Sequence, residues 1–279
     1  MSAVFEISVA SHDDVRLMGQ WAADEGWNPG LNDRLAFTAA DPGGFLIGRV
    51  DGVPAACLSV VRYGTGYGFL GFYIAREPFR GKGFGIRIWQ AGMSRLAGRN
   101  VGLDGVVDQQ ANYRKSGFSS AWTNIRFAGV PAVAAPPDGV RLVDARSVPF
   151  DRLARYDRKF FPASRDSFLC CWLGIADRAG LVAVRDGEPV GFGVCRPSQT
   201  DFRVGPLYAE SPGIAASLLS GLAGNRRVVT DVPDANPAAV KLLQEQGFEP
   251  QFETARMYTG PVPALDFDGY FAVTTLELG

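Results

Sequence analysis

The chain has 279 residues, 47% hydrophobic and 20% charged, with a formal net charge of −1. The length fits two compact domains or one large one, and the balanced charge argues against a general nucleic-acid or membrane-surface role, which needs a basic excess. No apolar run reaches the roughly 18 residues that span a bilayer, and Met1-Ser2-Ala3-Val4-Phe5-Glu6 lacks the features of a secretion signal, so the expected compartment is the cytoplasm.

Taken in chain order, Phe5 to Val9 alternates like a strand, and Ser11 reads as the N-cap of a helix over Asp13–Glu25 carrying Val15, Met18, Trp21 and Ala22. Gly26-Trp27-Asn28-Pro29-Gly30 breaks that helix, and a short one follows over Asn32–Ala39. Three apolar runs come next: Phe45–Val50, Pro54–Arg62 and Gly66–Ala75. Asp51-Gly52 between the first two is a hairpin signal, so the runs form an antiparallel meander. After Arg80-Gly81-Lys82-Gly83-Phe84-Gly85 a helix carries Ile86, Ile88, Trp89, Met93 and Leu96. A strand over Val101–Val107, a short helix over Gln109–Ser116 and a strand or strand pair over Phe118–Gly129 close the first unit.

Residues 131–139, rich in proline and small residues, read as a linker. The second half repeats the order. It has strands at Val140–Val143, Leu181–Arg185, Pro189–Arg196, Phe202–Tyr208, Arg227–Val232 and Phe252–Tyr258. Its helices lie at Phe150–Phe161, Ser167–Leu173, Pro212–Leu222 and Pro237–Gln246. Similar length and matching order indicate an internal duplication of a mixed α/β unit, with domains at 1–130 and 140–279.

The chemistry-bearing residues are few. His12 is the only histidine and sits in a helix start, and Cys57, Cys170, Cys171 and Cys195 show no CxxC spacing. A Cys-His or Ser-His-Asp mechanism is therefore not expected, and neither is a metal site. The glycine-rich turn stands out instead. It follows a strand and opens a helix, whose first N–H groups are unpaired and whose dipole is positive there. Three glycines allow close backbone approach, and Arg80, Lys82 and Arg87 add local positive charge. The arrangement suits a pyrophosphate. It is neither a Walker A loop nor the opening of a parallel dinucleotide-binding sheet.

A meander, then Arg80-Gly81-Lys82-Gly83-Phe84-Gly85 and a helix, then Tyr113-Arg114-Lys115-Ser116-Gly117-Phe118, resembles the GNAT acyltransferase superfamily. Glu25-Gly26-Trp27-Asn28-Pro29-Gly30, Gly102-Leu103-Asp104-Gly105-Val106 and Leu276-Glu277-Leu278-Gly279 are similar to its YitH-like tandem branch. The resemblance implies two tandem GNAT-like domains of mixed α/β class, the second degenerate. It implies an N-acetyltransferase that uses acetyl-CoA and no metal. By the same resemblance Arg80, Lys82, Gly83, Phe84 and Gly85 hold the CoA pyrophosphate, and the strand ending at Ile74 pairs with the pantetheine arm. A backbone N–H near Phe72 or Tyr73 polarises the thioester, and Tyr113 sits near the sulfur, as general acid or as packing.

The second half departs from that pattern. Glu210 stands where the family has a basic or amide residue, the basic residues are gone, and Leu243 takes the tyrosine position. This half is expected to have lost CoA chemistry and to supply interface and acceptor contacts. The strand glutamate that many members use as a base is also missing, since Gly66–Ala75 holds no acid. Glu25 and Asp104 are the nearest candidates, with Trp27 and Asn28 beside the same acceptor pocket. A surface acid for Glu25, a structural acid for Asp104 and a hydrophobic plug for Trp27 are the plainer readings. The expected reaction acetylates a primary amine of a small molecule or amino acid. A binding or sensing module, and a protein N-acetyltransferase, are the alternatives. The sequence does not set the oligomeric state.

Overall fold

The computed structural model describes residues 3–279. The first half contains β1 (Phe5–Val9), α1 (His12–Asp24), α2 (Asp33–Ala40), β2 (Phe45–Val50), β3 (Val53–Tyr63), β4 (Tyr67–Ala75), α3 (Phe84–Arg95), β5 (Asn100–Val106), α4 (Gln110–Lys115) and β6 (Ser119–Gly129). The second contains β7 (Arg141–Asp144), α5 (Phe150–Asp157), α6 (Asp166–Gly174), β8 (Ala179–Arg185), β9 (Glu188–Pro197), β10 (Phe202–Ala209), α7 (Pro212–Ala223), β11 (Val228–Pro233), α8 (Pro237–Glu245), β12 (Glu249–Tyr258) and β13 (Tyr270–Ala272).

Local chemistry sets these elements. Ser11 and Asp14 form a reciprocal capping box that starts α1. Asp51 and Gly52 both take positive φ and turn β2 into β3, and Asp186 and Gly187 do the same between β8 and β9. The apolar stretch of β3 is buried on both faces, because helices cover both sides of the sheet.

All thirteen strands join one mixed sheet, in which the path runs β1-β2-β3-β4-β5-β12-β6-β11-β10-β9-β8-β7 and β13 pairs with β10. The two halves therefore exchange their last long strands. β12 lies against β5, from Thr254↔Val106 to Tyr258↔Gly102. β6 lies against β11, from Val228↔Gly129 to Pro233↔Asn124. The exchanged strands also pair with each other, from Glu249↔Ala128 to Tyr258↔Ser119. Residues 131–139 separate the halves in sequence without separating the sheet. They carry no regular strand or helix, but lie along α7: the Ala134 amide donates to Ser220 Oγ at 3.2 Å.

Packing follows the same division. One core under α3 belongs to the first half, apart from Ala255 and Met257 of β12. Another lies under α7. The third is shared, with Phe37 of α2 stacked on Trp172 of α6 at 6.4 Å between ring centroids. Among the described residues no helix is long and apolar enough to cross a membrane.

A fragment ending at residue 130 would carry β6 without a partner strand and leave β5 with a bare edge, which is an invitation to aggregate. Expressed alone, 1–130 is expected to be insoluble or oligomeric by size-exclusion chromatography, and co-expression with 131–279 to restore a soluble complex. A monomeric, folded 1–130 would contradict the exchange.

Candidate active site

The parallel pairing of β4 with β5 covers only Tyr67↔Asn100 through Leu70↔Leu103. Beyond Leu70 the strands diverge, and β4 stays paired with β3 alone. The register of β3 and β4 shifts between Cys57 and Ser59, opposite Gly71–Ile74. Phe72, inside this bulge, has φ +47°, a backbone angle that bulky residues rarely adopt. The divergence opens a cavity of about 610 Å³. Gly71 through Ala75 form one wall, and Leu103, Asp104, Val106 and Tyr113 lie on the other side.

The cavity runs into the glycine-rich turn. Gly81 and Gly83 have φ of +74° and +81°, and a Cβ on either would meet nothing within 4 Å. Glycine is required there by the backbone angle, and the space in front is open. Gly83 is the N-cap of α3 and supplies no side-chain cap, so the first-turn N–H groups remain available for an anion. Gly85 lies under the ring of Tyr73, whose hydroxyl would be 3.0 Å from an added Cβ. Arg80, Gly81, Gly83 and Gly85 line the cavity. Lys82 is exposed beside the turn, and Phe84 packs inward on Phe5 at 4.8 Å between ring centroids. Among the described residues no three His, Cys, Asp or Glu side chains converge on a metal position.

Tyr113 is 8% exposed and stacks on Trp89. Its ring fits because position 105 is glycine: a Cβ there would lie 2.8 Å from the ring. Burial, with a smaller contribution from Tyr73, pushes the Tyr113 phenol well above its ordinary value. Glu25 lines the cavity mouth, ion-paired with Arg80. Asp104 is fully enclosed. Arg256 donates to both its oxygens at 2.8 Å, and Asn124 Nδ2 donates to Oδ1 at 2.7 Å. This is the structural role for Asp104, whose two oxygens accept from Arg256 and Asn124. Trp27 lines the cavity. Asn28 faces away: its amide donates to Thr200 Oγ1 at 3.2 Å and its carbonyl accepts from the Gln199 amide at 2.9 Å. The structure thus gathers all the candidate positions except Asn28, Lys82 and Phe84 around one cavity.

Among the lining residues outside the sequence's candidate set are Arg126 from β6, Phe252 and Thr254 from β12, and Glu277. Strand exchange and the return of residues 273–279 bring them in, and no local pattern announces either event. Glu277 is 4% exposed, and its Oε2 is buried with no hydrogen-bond partner among the described residues. Burial pushes its carboxyl up. The only sequence signal was the stretch Leu276-Glu277-Leu278-Gly279, recognisable as a resemblance without a role.

Model matches fit this geometry. The model of the acetyltransferase (GNAT) family matches residues 6–118, and that of an acetyltransferase (GNAT) domain matches 153–272. Holothin acyltransferase of Pseudoalteromonas sp. (strain SANK 73390) is 32% identical over 275 residues, covering 97% of this chain and 93% of the relative. The chain belongs to the GNAT family. It is an acyltransferase built of two GNAT domains in tandem. The uncharacterised N-acetyltransferase YitH of Bacillus subtilis (strain 168) is a distant relative, 20% identical over 95% of this chain and 94% of its own. A solved structure from Pyrococcus horikoshii shares the fold with a TM-score of 0.82 at 19% identity, over 99% of this chain and 96% of that one.

The second GNAT domain repeats the wedge and fills it. β10 and β11 pair in parallel only from Phe202↔Val228 to Val204↔Thr230, and the β9–β10 register shifts between Val204 and Leu207. β13 then pairs with β10 at Leu207↔Ala272 and Tyr208↔Tyr270. Glu210 is paired with Arg185 at 3.3 Å, and Pro137 of the linker sits 3.4 Å from where a Cβ on Gly213 would be, at the start of α7.

Buried ion pairs join the two GNAT domains behind the cavity. Asp231 accepts from Arg126 at 2.7 and 3.2 Å and also from Arg203. Burial opposes the charge on Asp231, but Arg126 and Arg203 outweigh it and hold its carboxyl below the ordinary value. Both arginines also donate to the Trp27 carbonyl, at 2.9 and 3.1 Å, which fixes the loop after α1. Asp33 of α2 similarly accepts from Arg178 at 2.7 Å and Arg196 at 2.9 Å. Asp231→Ala leaves two buried guanidinium groups without their acid and is expected to cost about 3–5 kcal/mol in urea denaturation. A change within experimental error would show that the cluster is solvated.

Proposed function

We propose that this chain is an acetyl-CoA-dependent N-acetyltransferase acting on a primary amine of a small molecule, with one cofactor site, in the first half. The observation that carries the reading is the wedge between β4 and β5 leading into the uncapped start of α3. Its unpaired strand edge offers backbone donors and acceptors to the amides of a pantetheine arm. The first-turn N–H groups of α3, with Arg80 and the exposed Lys82, offer charge to a pyrophosphate. Bound acetyl-CoA supplies the activated acyl group.

The residues of the chain then do three things. The backbone N–H groups at Phe72 and Tyr73 stabilise negative charge on the carbonyl oxygen. Tyr113 gives a proton to the departing sulfur. Its raised phenol keeps that proton throughout the neutral range, and the same dry surroundings raise the thiolate that receives it. Trp27, Phe252 and Leu276 exclude water from the acceptor side. That closure favours a small acceptor over a protein chain, and the relative named for acylating holothin supports a small molecule too. A tyrosine aimed into the cavity favours catalysis over mere sensing. The filled second wedge and the Glu210–Arg185 pair support one CoA site per chain.

Acetyl-CoA titration by calorimetry is expected to give one site of micromolar affinity, about −8 kcal/mol. Gly83→Glu places a carboxylate where the pyrophosphate binds and strains the turn at its φ of +81°, and it is expected to abolish binding while circular dichroism shows the rest of the fold retained. With an amine found by thiol-release screening, Tyr113→Phe is expected to lower kcat about 100-fold while acetyl-CoA affinity stays unchanged. Two sites per chain, or binding that survives Gly83→Glu, would overturn the placement.

A further inference from the structure

We infer that Glu277 is the proton acceptor for the attacking amine, a base delivered into the first domain's cavity by the last segment of the second. The inference rests on the acyltransferase reading above and assigns a residue to the step that reading leaves open. An alkylamine with pKa near 10.4 is almost wholly protonated at pH 7, and freeing its lone pair costs roughly 4–5 kcal/mol. Something in the cavity must take that proton.

Four acids line the cavity: Glu25, Asp104, Asp108 and Glu277. Glu25 is paired with Arg80 at the mouth. Asp104 is held in an ion pair with Arg256 and a hydrogen bond from Asn124. Asp108 stands on the exposed rim. Of the four, Glu277 is the one with a buried carboxylate oxygen, Oε2, that has no partner among the described residues. The hydroxyl of Thr254, on the same cavity wall, is buried and unpartnered as well. Two buried polar atoms without partners, on two residues that line one cavity, are costly to folding unless a bound molecule or water completes them.

Position supports the role. Residue 71 is glycine because a Cβ there would collide with the Glu277 carbonyl oxygen. The segment therefore crosses β4 directly before the Phe72 bulge, where the acyl carbonyl is placed above. The charged groups facing Glu277 are Arg203 on β10, Asp33 on α2, Arg126 on β6 and Arg196 on β9. Each arginine is committed to Asp231 or Asp33 and none bonds Glu277. Burial outweighs their attraction, so the carboxyl is raised toward the range in which a base works.

The proton balance is simple. The ammonium first gives one proton to the Glu277 carboxylate, which passes it to solvent; the neutral nitrogen then forms the N–C bond and gives its second proton to Glu277. The C–S bond breaks, and the sulfur takes the Tyr113 proton. Solvent then carries the proton from Glu277 back to Tyr113, leaving amide and free thiol. Since the carboxylate is the working form, kcat/KM rises with pH through the raised pKa of Glu277.

The test compares wild type with Glu277→Gln, which keeps size and shape. The variant is expected to bind acetyl-CoA as the wild type does by calorimetry. It is expected to lose about 100-fold in kcat and to lose the acidic limb of the pH profile. Independently of turnover, the infrared carboxyl band of a buried protonated acid should titrate in wild type and be missing in the variant. If Glu277→Gln does not fold, Glu277→Ala is expected to regain rate with added formate. A full rate with an unchanged acidic limb, a loss confined to KM, or no rescue by formate would overturn the assignment and leave the acyltransferase reading standing. A wild type that binds acetyl-CoA and acylates no amine would overturn both.

Discussion

The pairing of β6 with β12 is the constraint on which the rest of the molecule depends. Each strand begins in one half of the sequence and completes the sheet of the other. Once they are zipped together, neither half has a closed hydrogen-bond ladder of its own. The exchange also explains why an active cavity built on first-half motifs is finished by second-half side chains. β12 carries Phe252 and Thr254 to the cavity wall and Arg256 to Asp104. The chain then turns back through β13 and brings Glu277 to the bulge in β4.

The same local geometry occurs twice with opposite outcomes. Both halves place a bulge in the central strand, at Gly71–Ile74 and at Val204–Leu207, and both parallel pairings end where the bulge begins. A divergence leaves backbone groups unpaired, and buried backbone groups must find partners. In the second half β13 supplies them from within the chain. In the first half Gly71 through Ala75 face a cavity, so a ligand or water must do so. One wedge is thus structural and the other is available for binding.

Electrostatics ties the halves as firmly as the sheet does. Asp33, Asp104 and Asp231 each pair with an arginine from the other half. Buried pairs of this kind add little net stability, because desolvation consumes most of the attraction. Their effect here is geometric. Arg126 and Arg203 share Asp231 and fix the Trp27 carbonyl, which sets the position of the Trp27 loop at the cavity. Every arginine near Glu277 already has an acid, and that leaves Glu277 without a counter-ion of its own.

Local patterns carried most of the fold. The capped start of α1, the Asp51-Gly52 hairpin and the turn at Gly81–Gly85 were readable because each depends on neighbours in sequence. Tyr113 was readable only through the family resemblance carried by Tyr113-Arg114-Lys115-Ser116-Gly117-Phe118. The strand exchange was not, because β6 and β12 look like ordinary strands and nothing local specifies which edge they choose. Arg126, Thr254 and Glu277 followed the exchange into obscurity. Asn28, expected at the acceptor pocket, bonds instead to the 199–200 turn, a partner more than 170 residues away in sequence. The central claim is one open wedge and one filled wedge, and hydrogen exchange with and without acetyl-CoA tests it most directly. The account predicts new protection at Phe72–Ala75 and Gly81–Gly85, with Leu207–Ala209 and Gly213–Ala215 unchanged. Protection of the second set, or none in the first, would contradict it.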